Sequence, residues 1–282
     1  MKIGVFTYNT EYTIRLDELA HAAEERGFES VWAPEHTHIP KQRKSPWPGG
    51  PELPKEYWQI QDPFVGLAAA AAVTTRIGLG TGICLAVEHD PIALAKTVAS
   101  LDVLSRGRFI LGIGGGWNAE EMENHGTPFK QRWQILRERV LAMKEIWTKD
   151  DPEFHGEFVN FDPILAYPKP AQKPHPPILL GVNASSALQR VADYCDGWLP
   201  IASRAGDLAA QIADLHHRTE KAGRDPRLVT VSVFGGQPEE VAIRGYEKAG
   251  AERVVFFLPT ADRDVVPSTL DRYAKVLQVF NR

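Results

Sequence analysis

Two cysteines in 282 residues, Cys84 and Cys195, are too few and too far apart for a disulfide framework or a zinc site built on cysteine pairs. The charge balance is equally short of an excess of one sign: 32 basic and 36 acidic side chains leave a net charge of −4. That balance gives no electrostatic case for nucleic acid or an anionic membrane as a main partner. Long apolar runs are also missing. The longest, residues 64–73, has 10 residues including Gly66, about half the ~20 that a membrane helix needs. Residues 1–6 lack the architecture of a secretory signal, so a cytosolic protein acting on a small molecule is expected.

What the chain has is a regular alternation. Short runs at 3–7, 30–33, 77–82, 109–113, 178–181, 196–199, 228–233 and 254–258 read as strands. Several are apolar without alternating, as in parallel strands covered on both faces. Helical patterns occupy 14–26, 63–73, 91–104, 131–149, 185–194, 207–222, 238–249 and 266–280. Asp90 and Pro91 open the third of these as an N-cap and first-turn proline. Eight strand–helix units predict an α/β fold, a single (β/α)8 TIM barrel spanning 1–282. Of 21 prolines, 13 fall within 40–63 and 152–177. These windows read as insertions after the second strand and before the fifth, the second carrying a small strand or hairpin at 157–161.

Chemistry in such a barrel sits just past the strand ends. Glu35-His36-Thr37-His38 follows the second strand, and a histidine there can donate to a ligand or shuttle a proton near neutral pH. A capping or core histidine is the plainer reading. No second cluster with ligand spacing supports a metal. Gly112-x-Gly114-Gly115-Gly116 misses the dinucleotide fingerprint because Trp117 stands where its last glycine belongs. Those glycines allow either a flat ring or a tight turn. Asn183, Ala184 and Ser185 open a helix after the fifth strand, as an anion cradle or as ordinary caps. In the first insertion, Lys41, Arg43 and Lys44 form either a solvated face or a receiver for an acidic tail. Trp47, Tyr57 and Trp58 either wall an apolar pocket or pin the loop. Tyr8, His38, Trp47 and Trp58 are the candidate substrate pocket.

These motifs together resemble the luciferase-like monooxygenase superfamily, particularly its branch using the deazaflavin coenzyme F420. The likeness rests on Lys2-Ile-Gly-Val-Phe6, Gly27-Phe-Glu-Ser-Val-Trp-Ala-Pro-Glu-His36 and Ile77-Gly-Leu-Gly-Thr-Gly82. It continues through Asp90-Pro-Ile-Ala-Leu-Ala-Lys96, Leu101-Asp-Val-Leu-Ser-Arg-Gly-Arg108, Leu111-Gly-Ile-Gly-Gly-Gly-Trp117, Gly181-Val-Asn-Ala-Ser185 and Cys195-Asp-Gly-Trp198.

The resemblance implies F420 across the barrel mouth, with FMN and two-component monooxygenase chemistry as the alternative. It implies a non-proline cis peptide near Gly82-Ile83 and cofactor contacts from Asn118, Glu120 and Gly181. It also places phosphate on the backbone of Asn183, Ala184 and Ser185. Catalysis would be hydride transfer, with His36, or Glu35 through it, handling the proton. A homodimer is the implied assembly. A non-catalytic barrel, a hydrolase or an aldolase stays open, although no strand run carries an interior lysine for a Schiff base.

Overall fold

The computed structural model describes residues 1–184, 186–260 and 263–280. Strands follow one another as β1 (Lys2–Phe6), β2 (Ser30–Ala33), β3 (Gly78–Thr81), β4 (Phe109–Ile113), β5 (Phe154–His155), β6 (Asn160–Phe161), β7 (Ile178–Leu180), β8 (Gly197–Trp198), β9 (Thr230–Phe234) and β10 (Arg253–Phe257). Eight of them close a parallel barrel in the order β1-β10-β9-β8-β7-β4-β3-β2, and β5 with β6 forms a separate antiparallel pair. The helices are α1 (Leu16–Glu25), α2 (Pro63–Val73), α3 (Pro91–Leu104), α4 (Ala119–Asn124), α5 (Arg132–Thr148), α6 (Ser186–Tyr194), α7 (Leu208–Lys221), α8 (Glu240–Ala249) and α9 (Val265–Phe280). The fold is the (β/α)8 barrel that the alternation predicts, and no described helix is long and apolar enough to cross a membrane.

Strand periodicity separates two cores. Ile3 and Val5 of β1 pack outward with Leu19, Leu94 and Val140 in the layer between strands and helices. Phe6, Trp32, Ile110, Leu179, Leu199, Phe234 and Val255 fill the barrel itself. Helix starts follow local chemistry. Asp62 accepts from the Val65 amide at 3.0 Å ahead of Pro63, and Asp90 accepts from the Ala93 amide at 2.8 Å ahead of Pro91.

Departures from the expected elements are local. Leu228 is 72% exposed in a 3₁₀ turn, so β9 starts at Thr230 rather than at 228. β10 begins at a charged residue because Arg253 is buried against Glu29, with Nη2–Oε1 at 2.6 Å and Nε–Oε2 at 2.8 Å. α4 is an unforeseen helix, too short to show a period. In the second insertion, residues 157–159 form the turn of the β5–β6 hairpin. Glu138 of α5 accepts the Glu157, Phe158 and Val159 amides at 2.7–3.0 Å.

Trp32 seals the lower barrel, fully buried with Nε1 donating to Ser30 Oγ at 2.8 Å. A Cβ on Gly80 would stand 2.4 Å from Trp32 Cε3. Gly80→Ala is therefore expected to destabilise the chain by ~1–3 kcal/mol, the usual cost of overpacking. Chemical denaturation measures this, and an unchanged midpoint and slope would show that the indole gives way freely.

Candidate active site

Each strand hands a short segment to the mouth of the barrel. There Phe6, Phe234 and Phe257, from β1, β9 and β10, meet pairwise with ring centres 5.0 Å apart. They floor a cavity of about 400 Å³ walled by Tyr8, His36, Trp47, Tyr57, Ile83 and Trp117. A cis peptide joins Gly82 to Ile83. The Ile83 side chain fits between Gly114 and Gly181, whose added Cβ atoms would approach it to 2.6 and 2.7 Å. Those two glycines thus leave room for Ile83 in the cavity wall.

His36 is held from behind. Its Nδ1 lies 2.7 Å from Oε2 of Glu121, whose side chain is fully buried on α4. Glu121 also accepts the Thr37 amide at 3.1 Å and the Asn118 side-chain amide at 3.4 Å. A carboxylate at this position assigns the imidazole proton to Nδ1 and leaves Nε2 as the basic atom. The Trp117 indole N–H reaches Nε2 only at 3.4 Å. His36 therefore presents a weakly engaged base at the cavity.

Glu35 does something else. Its Oε2 accepts the Leu85 amide at 2.6 Å, its Oε1 pairs with His89 Nε2 at 2.8 Å, and its own amide donates to Ile83 O at 3.2 Å. These bonds buttress the segment around the cis peptide, and none of them reaches His36. Cys84 joins Glu35 and His89, with ligand-type atoms mutually within 4.8 Å. Burial, then the Glu35, Glu88 and Asp62 carboxylates, push the Cys84 thiol well up, away from the thiolate a metal would need.

A family model described as luciferase-like monooxygenase matches residues 1–257. The chain belongs to that family. An uncharacterised protein of Mycobacterium tuberculosis is 38% identical over 283 residues, spanning 98% of this chain and 99% of that relative. The F420-dependent hydroxymycolic acid dehydrogenase of Mycobacterium tuberculosis is 29% identical, over 88% of this chain and 64% of that relative. Among solved structures, monooxygenase RslO1 from Streptomyces bottropensis has a TM-score of 0.79 at 20% identity, with both chains fully covered. That last likeness speaks for the fold alone.

In this luciferase-like chain the structure gathers His36, Glu35, Gly82, Ile83, Gly181, Tyr8 and Trp47 around the cavity. The other expected residues that the structure describes do not line it. Trp58 is 51% exposed, because successive residues of the 3₁₀ turn Lys55–Trp58 point about 120° apart. Tyr57 turns inward instead, 3.2 Å from Tyr8 by their hydroxyls. His38 bonds Thr37 Oγ1 at 2.9 Å and Asn124 Nδ2 at 2.8 Å on the outer rim.

Asn118 is buried beside Glu121. Asn183 bridges the β7 and β8 loops, its side chain giving a hydrogen bond to Ile201 O at 3.0 Å and taking one from Ile201 N at 3.1 Å. Ala184 is exposed, and Ser185 lies outside the described residues. Glu120 points away from the cavity and clamps the first insertion through the Lys44 and Ser45 amides at 2.8 and 3.3 Å. Although burial works the other way, the Ser45 hydroxyl and these amides hold its carboxyl down to about 2. Glu121, His89 and Trp117 are the site residues that motif reading missed. Glu121 stands one position from the expected Glu120, and only the turn of α4 tells which of the two faces inward.

A third buried acid, Glu88, carries an unpartnered Oε2 at 3.7 Å from His125 Nε2. Burial, then the charges of Glu121 and Glu35, push its carboxyl up to about 9. Between the unfolded value of ~4.3 and the folded one, only the native state holds that proton, so stability falls by up to ~1.4 kcal/mol per pH unit as pH rises. Glu88→Gln is expected to gain on the wild type progressively from pH 5 to about 9. Melting temperatures across that range test this; parallel profiles for the two proteins would contradict it.

Proposed function

We propose that this chain is an F420-dependent oxidoreductase that moves a hydride between the deazaflavin and a small organic substrate stacked on its ring. The observation that carries the proposal is His36, its Nδ1 bonded at 2.7 Å to buried Glu121 and its Nε2 turned toward an aromatic cavity. The sequence likeness to an F420-dependent dehydrogenase supports the choice of cofactor.

The residues present fit such a group. The cavity falls within the usual ~300–1,000 Å³ of small-molecule sites. Gly82, Gly116 and Gly181 line it without side chains, so a flat ring can approach the backbone beside Ile83. When bound, F420 supplies a ring carbon that accepts or returns a hydride. His36 Nε2 takes the proton that leaves the substrate hydroxyl as the carbon-bound hydride departs, and returns it in the reverse direction. Glu121 holds the ring orientation and stabilises the imidazolium. Tyr57 and Trp117, centred 5.3 and 5.8 Å from the His36 ring, keep water off it.

Cofactor fluorescence is expected to report binding of F420 in preference to FMN. Turnover is read with F420 on secondary alcohols and with reduced F420 on conjugated enones. His36→Ala should keep F420 affinity and lose ~10²–10⁴-fold in kcat, the usual weight of general acid–base catalysis. Glu121→Gln should lower kcat with little change in KM. Full turnover by His36→Ala would remove the proton role. Tight FMN binding without F420 binding would turn the reading to a flavin-dependent monooxygenase.

A further inference from the structure

Among the described residues, two arginines on the rim have no acid to answer them. Arg132 opens α5 and Arg190 lies in the second turn of α6. Their guanidinium carbons stand 5.4 and 4.4 Å from the centre of the Trp133 ring. Among the described residues neither makes an ion pair with a carboxylate. Their hydrogen bonds go to backbone, from Arg132 Nη1 to Phe129 O at 2.8 Å and from Arg190 Nη1 to Ser186 O at 3.2 Å. The Nε of Arg132 is buried with no partner at all. Burial, and then the Arg190 charge, push the Arg132 guanidinium down. Two cations are thus held together, partly out of water, at an electrostatic cost. The Trp133 ring facing both and the Phe129 ring 3.8 Å from Arg132 offset part of that cost, and no carboxylate among the described residues offsets the rest.

Their place gives that cost a meaning. The Trp133 ring packs onto Gly115, where an added Cβ would lie 2.6 Å from Cη2. Gly115 adjoins Gly116, which lines the cavity, and Arg190 reaches back to the first turn of α6, just beyond cavity-lining Gly181. The pair therefore stands at the lip between the β4 and β7 loops. The basic segment of the first insertion is less suited to hold an anion there. Lys41 and Lys44 are exposed, and Arg43 is committed to the Trp117 ring at 5.2 Å and to Ser45 O.

We propose that Arg132 and Arg190 form a site for anionic oxygens, the phosphate or carboxylate groups on the tail of the bound cofactor. The planar guanidinium fork suits either group, and the free Arg132 Nε–H is a donor awaiting one. The proposal rests on the F420 reading only for which cofactor carries the tail. F420 bears a phosphodiester and glutamate carboxylates beyond its ribityl chain, whereas FMN ends in one phosphate.

The test compares the wild type with Arg132→Gln/Arg190→Gln by fluorescence titration with F420 and with the deazaflavin fragment that ends at the ribityl chain. The variant is expected to bind F420 ~10–100-fold more weakly, the weight of one or two charge-assisted hydrogen bonds, with the fragment unaffected. Unchanged F420 affinity, or an equal loss for the fragment, would overturn the site. If the wild type takes FMN and not F420, the proposed function fails separately. The site is then judged on FMN against riboflavin by the same criterion, a loss confined to FMN supporting it and any other result overturning it. Binding of none of these by the wild type overturns both. Should the double variant melt markedly lower, the single variants Arg132→Gln and Arg190→Gln carry the comparison, each judged in the same way.

Discussion

The hydrogen bond between His36 Nδ1 and the Glu121 carboxylate ties the end of β2 to the helix that follows β4, and the geometry of the mouth depends on it. A carboxylate removed from water is tolerated only among donors. Glu121 has three: the imidazole, the Thr37 amide and the Asn118 side chain. The same bonds that make its burial tolerable also fix the tautomer of the histidine. Glu35 repeats the arrangement one residue away with His89 and the Leu85 amide. Two carboxylate–histidine pairs therefore lie side by side, one orienting a base and the other bracing the wall. Glu88 lies close to both acids, and burial together with their charges pushes its carboxyl up to about 9.

Around that pairing, the cavity takes its shape from alternating bulk and vacancy. Trp32 and the three phenylalanines close the barrel from below. Glycines at the ends of β3, β4 and β7 open it from the side. The first insertion supplies the remaining wall and is held at several points. Glu120 takes two of its amides, Tyr57 meets Tyr8, Gln61 N donates to Asn9 O at 2.7 Å, and Arg204 reaches Pro48 O at 2.7 Å. This proline-rich segment is thus anchored to the ends of three strands, β1, β4 and β8, and the aromatic faces of Trp47 and Tyr57 that it turns inward wall the cavity.

The barrel was legible because its strands are covered on both faces and read as unbroken apolar runs such as Phe109–Ile113 and Ile178–Leu180. The Asp90–Pro91 pair marked where α3 begins. The site was legible only in part. His36, Ile83 and the glycines follow strands, where position along the chain dictates position in space. Glu121 lies in a helix of six residues, too short for periodicity to show which face it turns. Asn183 was expected to offer its backbone to a phosphate; its side-chain amide is bonded to Ile201 of the β8 loop, a contact that concerns the side chain alone. Arg132 and Arg190 are far apart in sequence and unremarkable singly. What distinguishes them is a shared aromatic ring with no acid between them among the described residues, a property of the folded neighbourhood.

The most direct measurement is a crystal structure of the chain soaked with F420. The account predicts the deazaflavin ring against Ile83 at the barrel mouth, with His36 Nε2 facing the open side of the ring and Nδ1 still on Glu121. A ring bound elsewhere, or a His36 whose Nε2 is turned away from the substrate space, would contradict it.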